Sequence, residues 1–467
     1  MSKKETTGEV RPFGAKDQWG YMFGEIGNNF MYVFMDSYFL TYCTYVLGIS
    51  AYFMGTLFLL ARIWDAINDP IIGSFSDRWN IGKNGDRYKP WIKLAIVPAA
   101  VMMMFCFTNV SSWSTVALHV WVSVVYVLYG MCYTALTMPY GSLSAVVSPD
   151  SIDRAKLSRA RGMGGFLIVI PLSIAPQFLF DTNNNVSVSG FRGVSIIFGL
   201  LAILCYLLML KLTKERVRIP SRKTKFEYKK VLKSVTKNRA LIGVMIAAFG
   251  GMFATTGSSA IGTYMFKEYY GNASLLSIQS LVAMPLTLIL FPIVPRVEKK
   301  IGKRKFVLGV GCFSLVVALI VFLVPIANPY IYIFVNLLGT LSNSVFTMFV
   351  WAIVNDAIDY QEHLTGDRST GSYYSIFSFS RKLGATVASA SASYALAIIG
   401  YQSGLEVQAA GVAGRIRYLC TSIPVISVIL LLVGMGLVYN LKKEDSEKIS
   451  AELNAKHAAE AAAAAEE

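Results

Sequence analysis

Long apolar stretches recur along the chain, and short polar segments separate each stretch from the next. A helix needs roughly 20 apolar residues to cross a bilayer, and the stretches reach that length throughout the chain. A membrane-spanning barrel would instead show weakly alternating segments of about ten residues. We therefore predict an all-α membrane protein with about twelve transmembrane helices. The predicted spans are 20–47, 52–76, 91–108, 115–147, 163–180, 193–212, 241–266, 275–295, 306–324, 330–354, 373–399 and 419–441.

A polar, basic segment divides these stretches into two sets of six. We predict an N-terminal six-helix bundle over 18–212, a basic linker over 213–239 and a C-terminal six-helix bundle over 240–441. The segments 1–17 and 442–467 are predicted to be polar tails. Basic, glycine-containing hairpins follow both the second and the eighth span. Repeated halves of this kind are typical of transporters that alternate about a site at the bilayer midplane.

The positive charge of the chain is concentrated in alternate loops. The net charge is +15, although 54% of the residues are hydrophobic and only 15% are charged. Basic loops that alternate with nearly bare ones orient a membrane protein with the basic loops inside. We therefore expect the linker and both tails to lie in the cytoplasm, with the chain in the cell inner membrane, and we expect no nucleic-acid partner.

Motifs for covalent chemistry are missing from the sequence. The six cysteines are scattered through apolar spans without metal or redox spacing, and the three histidines occupy unrelated positions. No phosphate-binding or dinucleotide-binding glycine motif occurs in the context that it needs. We expect no enzymatic activity and no cofactor. The polar first 16 residues lack the apolar core of a secretory leader, so the first span is expected to anchor the protein.

The second predicted span carries charged residues inside an otherwise apolar stretch. At about 100° per residue, Arg62, Asp65 and Asp69 fall on one side of a helix. Ionised groups at that depth are tolerated only where they face water or one another. Two isolated carboxylates in a low dielectric would not both stay ionised. A cation between them, with Asn68 as a further oxygen ligand, is favoured over a purely structural ion pair with Arg62.

Polar groups on two other spans are candidates for contact with a small molecule. The adjacent amides Asn28 and Asn29 in the first span suit sugar hydroxyl groups, because an amide both donates and accepts hydrogen bonds. They would serve equally well to join helices. Thr134 and Thr137 lie at helical spacing in the fourth span, near Pro139. Taken alone, such hydroxyl groups more often bond to their own backbone.

Charged groups also cluster late in the chain. Arg381 and Lys382 lie within the eleventh span, and we expect at least one of them to face a central cavity. An acidic helix end with Asp356 and Asp359, followed by Arg368, precedes them. We predict that these charges form ion pairs with the basic hairpins in a cytoplasmic gate. A merely solvated loop is the alternative.

Several of these runs resemble one family. Residues 55–73 closely resemble the second helix of the glycoside–pentoside–hexuronide:cation symporters, the branch of the major facilitator superfamily typified by melibiose permease. Residues 130–139 resemble the fourth helix of the family, and residues 356–360 and 374–384 resemble its tenth and eleventh helices. The likeness extends to about residue 441. It implies the major facilitator fold, with two six-helix bundles.

The resemblance also implies roles for individual residues. Arg62 matches the arginine beside the cation site, and Lys382 matches a lysine that lies close to both cation and sugar. The implied cation site consists of Asp65, Asn68, Asp69 and Thr134. Asp356, Asp359 and Arg368 match the gate charges of the family, and Arg154 resembles an arginine that follows its fourth helix. We predict that the gate also includes Asp77 and Arg78, from the basic hairpin after the second span.

Departures from the melibiose permease pattern bear on the substrate. Asn28, Asn29 and Thr137 replace a lysine and the two sugar-binding aspartates of that permease, whereas Lys382 is kept. Losing two anions while keeping a cation favours a neutral or anionic ligand, and the Asn-Asn pair is similar to the glucuronide-permease branch. The predicted substrate-binding residues are Asn28, Asn29, Arg62, Thr137, Tyr140, Arg161 and Lys382, with Tyr32 and Trp64 as further candidates to stack on the sugar.

These patterns predict a monomeric secondary transporter that takes up a glycoside, hexuronide or pentoside together with a cation by alternating access. Sodium is the expected coupling ion, and a proton is the alternative because a buried carboxylate pair can titrate. Two other functions stay open. One is a membrane sensor that binds sugar without moving it. The other is a lysolipid carrier of the same fold, against which the polar Asn28, Asn29 and Thr137 argue.

Overall fold

The protein is helical over nearly all of the chain that its computed structural model describes. The described residues are 11–78, 81, 86–148, 150–181, 183–217, 236, 238–365, 370–405, 408–449 and 452–453. Within these ranges the extended pairing is a single antiparallel bridge between Phe180 and Val186.

The described part of the chain contains fifteen α-helices. In chain order they are α1 Ala15–Tyr45, α2 Ala51–Arg78, α3 Lys89–Cys106, α4 Thr115–Val147, α5 Ser151–Leu167, α6 Val169–Ile174, α7 Pro176–Leu179, α8 Val188–Leu212, α9 Arg239–Tyr264, α10 Leu275–Ile301, α11 Lys303–Leu323, α12 Pro329–Gly339, α13 Leu341–Thr365, α14 Thr370–Ile398 and α15 Val412–Leu432. Wider π-helical turns extend α9 over Met265–Tyr269 and α15 over Val433–Val438.

Nine helices in the described ranges are long and apolar enough to cross a membrane. Three further helices are also long, with 31 residues in α1, 28 in α2 and 29 in α14. These three carry many of the polar residues that the sequence marks as candidate site groups. A polar site inside a membrane protein lowers the hydrophobicity of the helices that build it, so their weaker apolar character fits a functional role.

The fifth predicted span differs from the structure. The helical conformation begins at Ser151 instead of residue 163, and it is interrupted around Ile168 and Ala175. The first turns of this helix contain basic residues, so a search for apolar stretches misses them. Lys and Arg nevertheless have helix propensities similar to those of Leu and Met. The interruptions follow from Pro171 and Pro176, because each ring removes the amide hydrogen that an unbroken helix would use.

The contacts divide the chain into two compact units. The first contains α1 to α8 together with the loop Tyr401–Gln408, and the second contains α9 to α15. In the first unit, α1 packs on α5 and α8, while α4 packs on α2 and α3. In the second unit, α9 packs on α14 and α15, and its core includes Ala247, Phe349, Ile353 and Phe377.

Glycines allow α1 to lie very close to its neighbours in the first unit. A Cβ atom on Gly24 would come within 2.5 Å of the Tyr140 ring, and one on Gly164 within 2.6 Å of the Met22 carbonyl oxygen. Real side chains cannot approach so closely, so only glycine fits at these two positions. This packing brings α1, α4 and α5 together where the candidate sugar-binding residues lie.

The segment after α8 is tied to the starts of two other helices. Asp17 at the start of α1 is fully buried and pairs with Arg11 at 2.8 Å and Arg216 at 2.9 Å. The Glu215 carboxylate accepts hydrogen bonds from the backbone amides of residues 87, 88 and 89 at 2.7–2.9 Å. Burial raises the pKa of Glu215, and these three amide donors oppose that effect. The contacts fix this end of the first unit.

Candidate functional site

Helices α2 and α4 bring the two predicted cation-site carboxylates together with a hydroxyl group. The Thr134 hydroxyl on α4 donates a hydrogen bond of 2.9 Å to Oδ1 of Asp69 on α2. One turn earlier on each helix, Oδ1 of Asp65 lies 3.3 Å from where a Cβ atom on Gly130 would stand. The missing side chain of Gly130 therefore leaves room for the Asp65 carboxylate against α4. Thr134 bonds across to α2, so its hydroxyl does not follow the usual bonding to the helix's own backbone.

Arg62 lies at one end of this group. A guanidinium nitrogen of Arg62 is 3.5 Å from a carboxylate oxygen of Asp65, and both side chains are about one quarter exposed. An arginine side chain stays protonated under all ordinary conditions. The helix face Arg62, Asp65 and Asp69 thus carries two acids and one permanent base, which leaves an excess of negative charge.

Asn68 is the most buried member of the predicted cation site. It is only 4% exposed, and its amide nitrogen has no hydrogen-bond partner among the described residues. A buried donor without a partner is costly. Exchange of the amide nitrogen and oxygen by rotation would place an acceptor at the same position, so the side chain suits a role as an oxygen ligand.

The donor set determines which ion this group can hold. Carboxylate, amide and hydroxyl oxygens are hard ligands that suit alkali and alkaline-earth cations better than zinc or copper. Among the described residues, no group of three or more His, Cys, Asp or Glu side chains is placed to hold a metal ion. The Thr134 hydroxyl donates its hydrogen to Asp69 and keeps its lone pairs for a cation.

A second polar group joins α1 to α5. The Arg161 side chain on α5 donates from Nε to Glu25 on α1 at 2.7 Å, and its guanidinium lies 5.3 Å from the Tyr140 ring centre. The Asn29 amide donates to the Glu25 backbone oxygen at 2.9 Å and to its Oε1 at 3.3 Å. Arg161 is 43% exposed, so its guanidinium edge remains accessible while Glu25 fixes its stem.

The predicted sugar-binding residues of the first unit differ in accessibility. Asn28 is 8% exposed, and its amide oxygen is buried without a hydrogen-bond partner among the described residues. Thr137 is half-buried on α4. Tyr32 is also half-buried and stacks on Tyr133 with ring centres 6.0 Å apart, whereas Trp64 is 42% exposed.

Tyr140 has a different place from the one expected of a ring that stacks on a sugar. It is 1% exposed, its hydroxyl donates to the Tyr21 backbone oxygen at 2.8 Å, and its ring stacks on the Tyr21 ring at 4.9 Å. These contacts leave no ring face open to a ligand. Burial arises because Gly24 lets α1 approach the ring. In this structure the Tyr140 ring thus packs against Tyr21 and lies under the Arg161 guanidinium, and its role in substrate binding stays a prediction.

Candidate residues of the second unit lie on α13 and α14. The Lys382 side chain is exposed, while its neighbour Arg381 lies 5.4 Å from the Trp351 ring centre. Asp356 accepts a hydrogen bond of 2.8 Å from Lys303, the first residue of α11. An acid of the predicted gate thus contacts one of the basic hairpins.

The other predicted gate residues are less completely described. Asp359 is half-buried on α13, and Arg154 is exposed on α5. Asp77 and Arg78 form the last residues of α2, although their side chains lie outside the described part of the structure. Arg368 also lies outside the described residues.

Two acids near these groups were not singled out from the sequence. Glu25 holds Arg161, and Asp36 on α1 lies within electrostatic reach of Arg62. Both are ionisable residues inside the apolar span that forms α1. That property alone marks a residue as a functional candidate, and it is the signal that would have found them.

Known proteins resemble this chain over nearly its full length. The family described as MFS/sugar transport protein matches residues 20–443. The uncharacterized symporter YjmB of Bacillus subtilis is 29% identical over 446 residues, with 94% of this chain and 95% of the relative covered. The isoprimeverose transporter of Lactiplantibacillus pentosus is 28% identical, with 96% and 93% covered. The glucuronide carrier protein homolog of Escherichia coli is 26% identical, with 90% and 91% covered.

Solved structures show the same fold at low sequence identity. A bacterial homolog of the human lysosomal transporter Spinster, in an inward-facing and unoccupied conformation, has a TM-score of 0.65 at 13% identity, with 93% of this chain and 98% of that chain covered. The D-xylose-proton symporter has a TM-score of 0.57 at 12% identity, with 89% and 96% covered. These likenesses confirm the predicted fold class, an all-α membrane protein with two six-helix bundles.

Proposed function

Because the chain belongs to the MFS/sugar transport protein family, we propose that it is a symporter that couples entry of a cation to uptake of a glycoside, hexuronide or pentoside. The observation that carries the coupling proposal is the contact between α2 and α4, where Thr134 bonds to Asp69 beside Asp65. Excess negative charge inside a membrane-spanning bundle is costly. We infer that a mobile cation neutralises the Asp65 and Asp69 carboxylates during transport.

The two carboxylates are proposed to take the coupling ion first. Their repulsion across a low-dielectric site disfavours the ion-free state, so a sodium ion with oxygen ligands from Asp65, Asp69, Thr134 and Asn68 would stabilise the pair. A proton shared by the carboxylates would do the same. Ion binding and sugar binding must then raise each other's affinity by the same factor.

The sugar is proposed to lie near Asn28, Asn29 and Thr137. Amides and hydroxyls suit a polyhydroxy ligand, and Arg161 offers an accessible guanidinium edge nearby on α5. A carboxylate on the sugar would find a partner in Arg161. One relative is named a glucuronide carrier homolog and another an isoprimeverose transporter, which supports both hexuronides and pentose-containing glycosides as candidates.

We propose that the protein lies in the cell membrane with both tails in the cytoplasm, which the bias of basic residues toward alternate loops supports. The contact between Asp356 and Lys303 would then lie at the cytoplasmic ends of α13 and α11. We propose that it belongs to the gate that opens and closes during transport. A single chain is proposed to be sufficient for transport.

Uptake into proteoliposomes tests the function directly. Purified protein would be given labelled glucuronides, pentosides, galactosides and a lysophospholipid under an imposed sodium gradient, proton gradient or neither. We expect gradient-dependent accumulation of one sugar class, with sodium or protons but not both as the effective ion. Binding without accumulation or counterflow would indicate a sensor, and movement of the lysophospholipid alone would indicate a lipid carrier.

Gly130 provides a test of the proposed ion site that leaves every ligand in place. Gly130→Val should push Asp65 away from α4, because even the first carbon of a side chain would meet the carboxylate at 3.3 Å. We expect the apparent affinity for the coupling ion to fall about tenfold, as it does when supporting groups of other metal sites are changed. The measurement is the ion dependence of sugar uptake.

Gly193→Val on α8 is the matched control for Gly130→Val. A Cβ atom at Gly193 would meet nothing within 4 Å, so this variant should keep the wild-type dependence on the ion. An unchanged ion dependence in Gly130→Val would place the ion elsewhere than beside Asp65.

A further inference from the structure

An aromatic cluster fixes how α1 and α2 face each other in the first unit. Phe39 on α1 lies against Phe58 on α2, with ring centres 6.3 Å apart. Tyr126 on α4 completes the cluster, at 5.0 Å from the Phe39 ring and 5.4 Å from the Phe58 ring. A short loop joins α1 to α2, and the two helices run in opposite directions along this contact.

One helical turn from the cluster, an acid on α1 faces a base on α2. Asp36 precedes Phe39 by three residues, and Arg62 follows Phe58 by four. Because the helices are antiparallel, both steps lead the same way along the pair. Arg62 accordingly interacts electrostatically with Asp36 as well as with Asp65. The guanidinium is therefore under the electrostatic influence of an acid of the proposed ion site and of an acid outside it.

Asp36 is available to accept a cation. Its side chain is half-buried, and it takes part in no hydrogen bond or ion pair within 4.0 Å among the described residues. Arg62 meanwhile contacts Asp65 at 3.5 Å, which is longer than a well-formed charged hydrogen bond. Arg62 thus makes only a long contact with one acid, while Asp36 has no close polar partner among the described residues.

We propose that Asp36 is the alternate partner of Arg62, and that movement of this guanidinium from Asp65 toward Asp36 clears the ion site. The inference rests on the proposed function. A cation that binds Asp65 and Asp69 would otherwise sit beside a like charge that cannot lose its proton. With Arg62 on Asp36, each positive charge has its own acid. Asp36 is a positioning residue in this account, because it acts on the ion through Arg62.

The first test measures the ion dependence of sugar uptake by Asp36→Asn. Without its alternate partner, Arg62 stays on Asp65 and competes with the coupling ion. We expect the apparent affinity for the ion to fall about tenfold, within the usual range of coupling between two sites. Counterflow at saturating ion should stay near the wild-type rate. Asp36→Glu should restore the ion affinity, and Asp181→Asn, which changes an exposed loop acid of the same unit, should have no effect.

The second test is a double-substitution cycle with Arg62→Gln. In that background Asp36→Asn should no longer change the ion affinity, since there is no guanidinium left to position. An equal loss of affinity in both backgrounds would overturn the proposal, because Asp36 would then act on the ion directly. An unchanged ion affinity in Asp36→Asn alone would also overturn it.

The cycle also covers a failure of the single variant to fold. In that case the comparison between Arg62→Gln and the double variant decides, and any difference in their ion affinity counts against the proposal. Failure of the proposed function has a different signature. It would appear as ion-independent uptake by the wild-type protein or as undiminished accumulation by Asp69→Asn, whatever Asp36→Asn does.

Discussion

Asp69→Asn will lose ion-driven accumulation of sugar by roughly 100-fold, the upper end of the loss seen when metal-site groups are altered. Asparagine has nearly the shape of aspartate, and its amide oxygen can still accept the 2.9 Å hydrogen bond from Thr134. The helix contact is therefore expected to survive, while half of the negative charge that attracts the ion is removed. Accumulation under an imposed gradient is the measurement.

Counterflow separates a lost ion site from a misfolded protein. Exchange of labelled for unlabelled sugar needs no net driving force, so a folded Asp69→Asn protein should retain part of its exchange activity at high sugar concentration. Asp65→Asn should show the same loss of accumulation, because both acids share the ion. Normal gradient-driven accumulation by either variant would contradict the assignment of the ion site.

Thr134 distinguishes the two candidate ions. A sodium ion would use the lone pairs of its hydroxyl, so Thr134→Val should weaken sodium dependence while Thr134→Ser preserves it. A proton would instead be held by the carboxylates, and loss of the hydroxyl would remove only a hydrogen bond to Asp69. In that case Thr134→Val should shift the pH dependence of uptake and leave no sodium dependence to weaken.

The sequence was sufficient to predict that Arg62, Asp65 and Asp69 share one face of α2, because helical spacing determines which residues share a face. It was also sufficient for the fold class, since apolar length sets what can cross a bilayer. Contacts between helices are different. Nothing in the spacing along α4 shows that Thr134 reaches Asp69, and only the resemblance to a family pointed there.

Tyr140 and Asp36 are two further residues whose contacts with other helices the sequence alone did not predict. Tyr140 was a candidate to stack on sugar, but burial of its ring depends on how closely α1 approaches α4, which Gly24 on α1 permits. Asp36 carries the same signal as Asp65, an ionisable residue within an apolar span, yet its proposed partner, Arg62, lies on another helix. Antiparallel register between α1 and α2 becomes apparent only when the ring contacts are known.

Asp356→Lys is expected to reduce the transport rate roughly 50-fold. The substitution removes a charged hydrogen bond of 2.8 Å to Lys303 and puts two cations in its place. A charged hydrogen bond contributes about 1.5–3 kcal/mol, and about 1.4 kcal/mol corresponds to a tenfold change in an equilibrium. Initial rates of uptake at saturating ion and sugar are the measurement.

Reversal of both charges tests whether this contact, and not either residue alone, is what transport needs. Asp356→Lys combined with Lys303→Asp restores one acid facing one base, so we expect most of the lost rate to return. Glu447→Lys is the control, because it disrupts the more exposed pair that Glu447 forms with Lys443 at 3.8 Å in the same unit and should leave the rate unchanged.

A wild-type rate in Asp356→Lys would show that the acidic end of α13 is merely solvated, which is the alternative that the sequence left open. Loss of rate without recovery in the reversed pair would instead mean that Asp356 has a further partner.

Gly302 positions Lys303 for its contact with Asp356. Its φ of 82° turns the chain so that α11 starts at Lys303. A side chain at Gly302 would strain this turn, so Gly302→Ala should slow transport in the same direction as Asp356→Lys while leaving both charges in place.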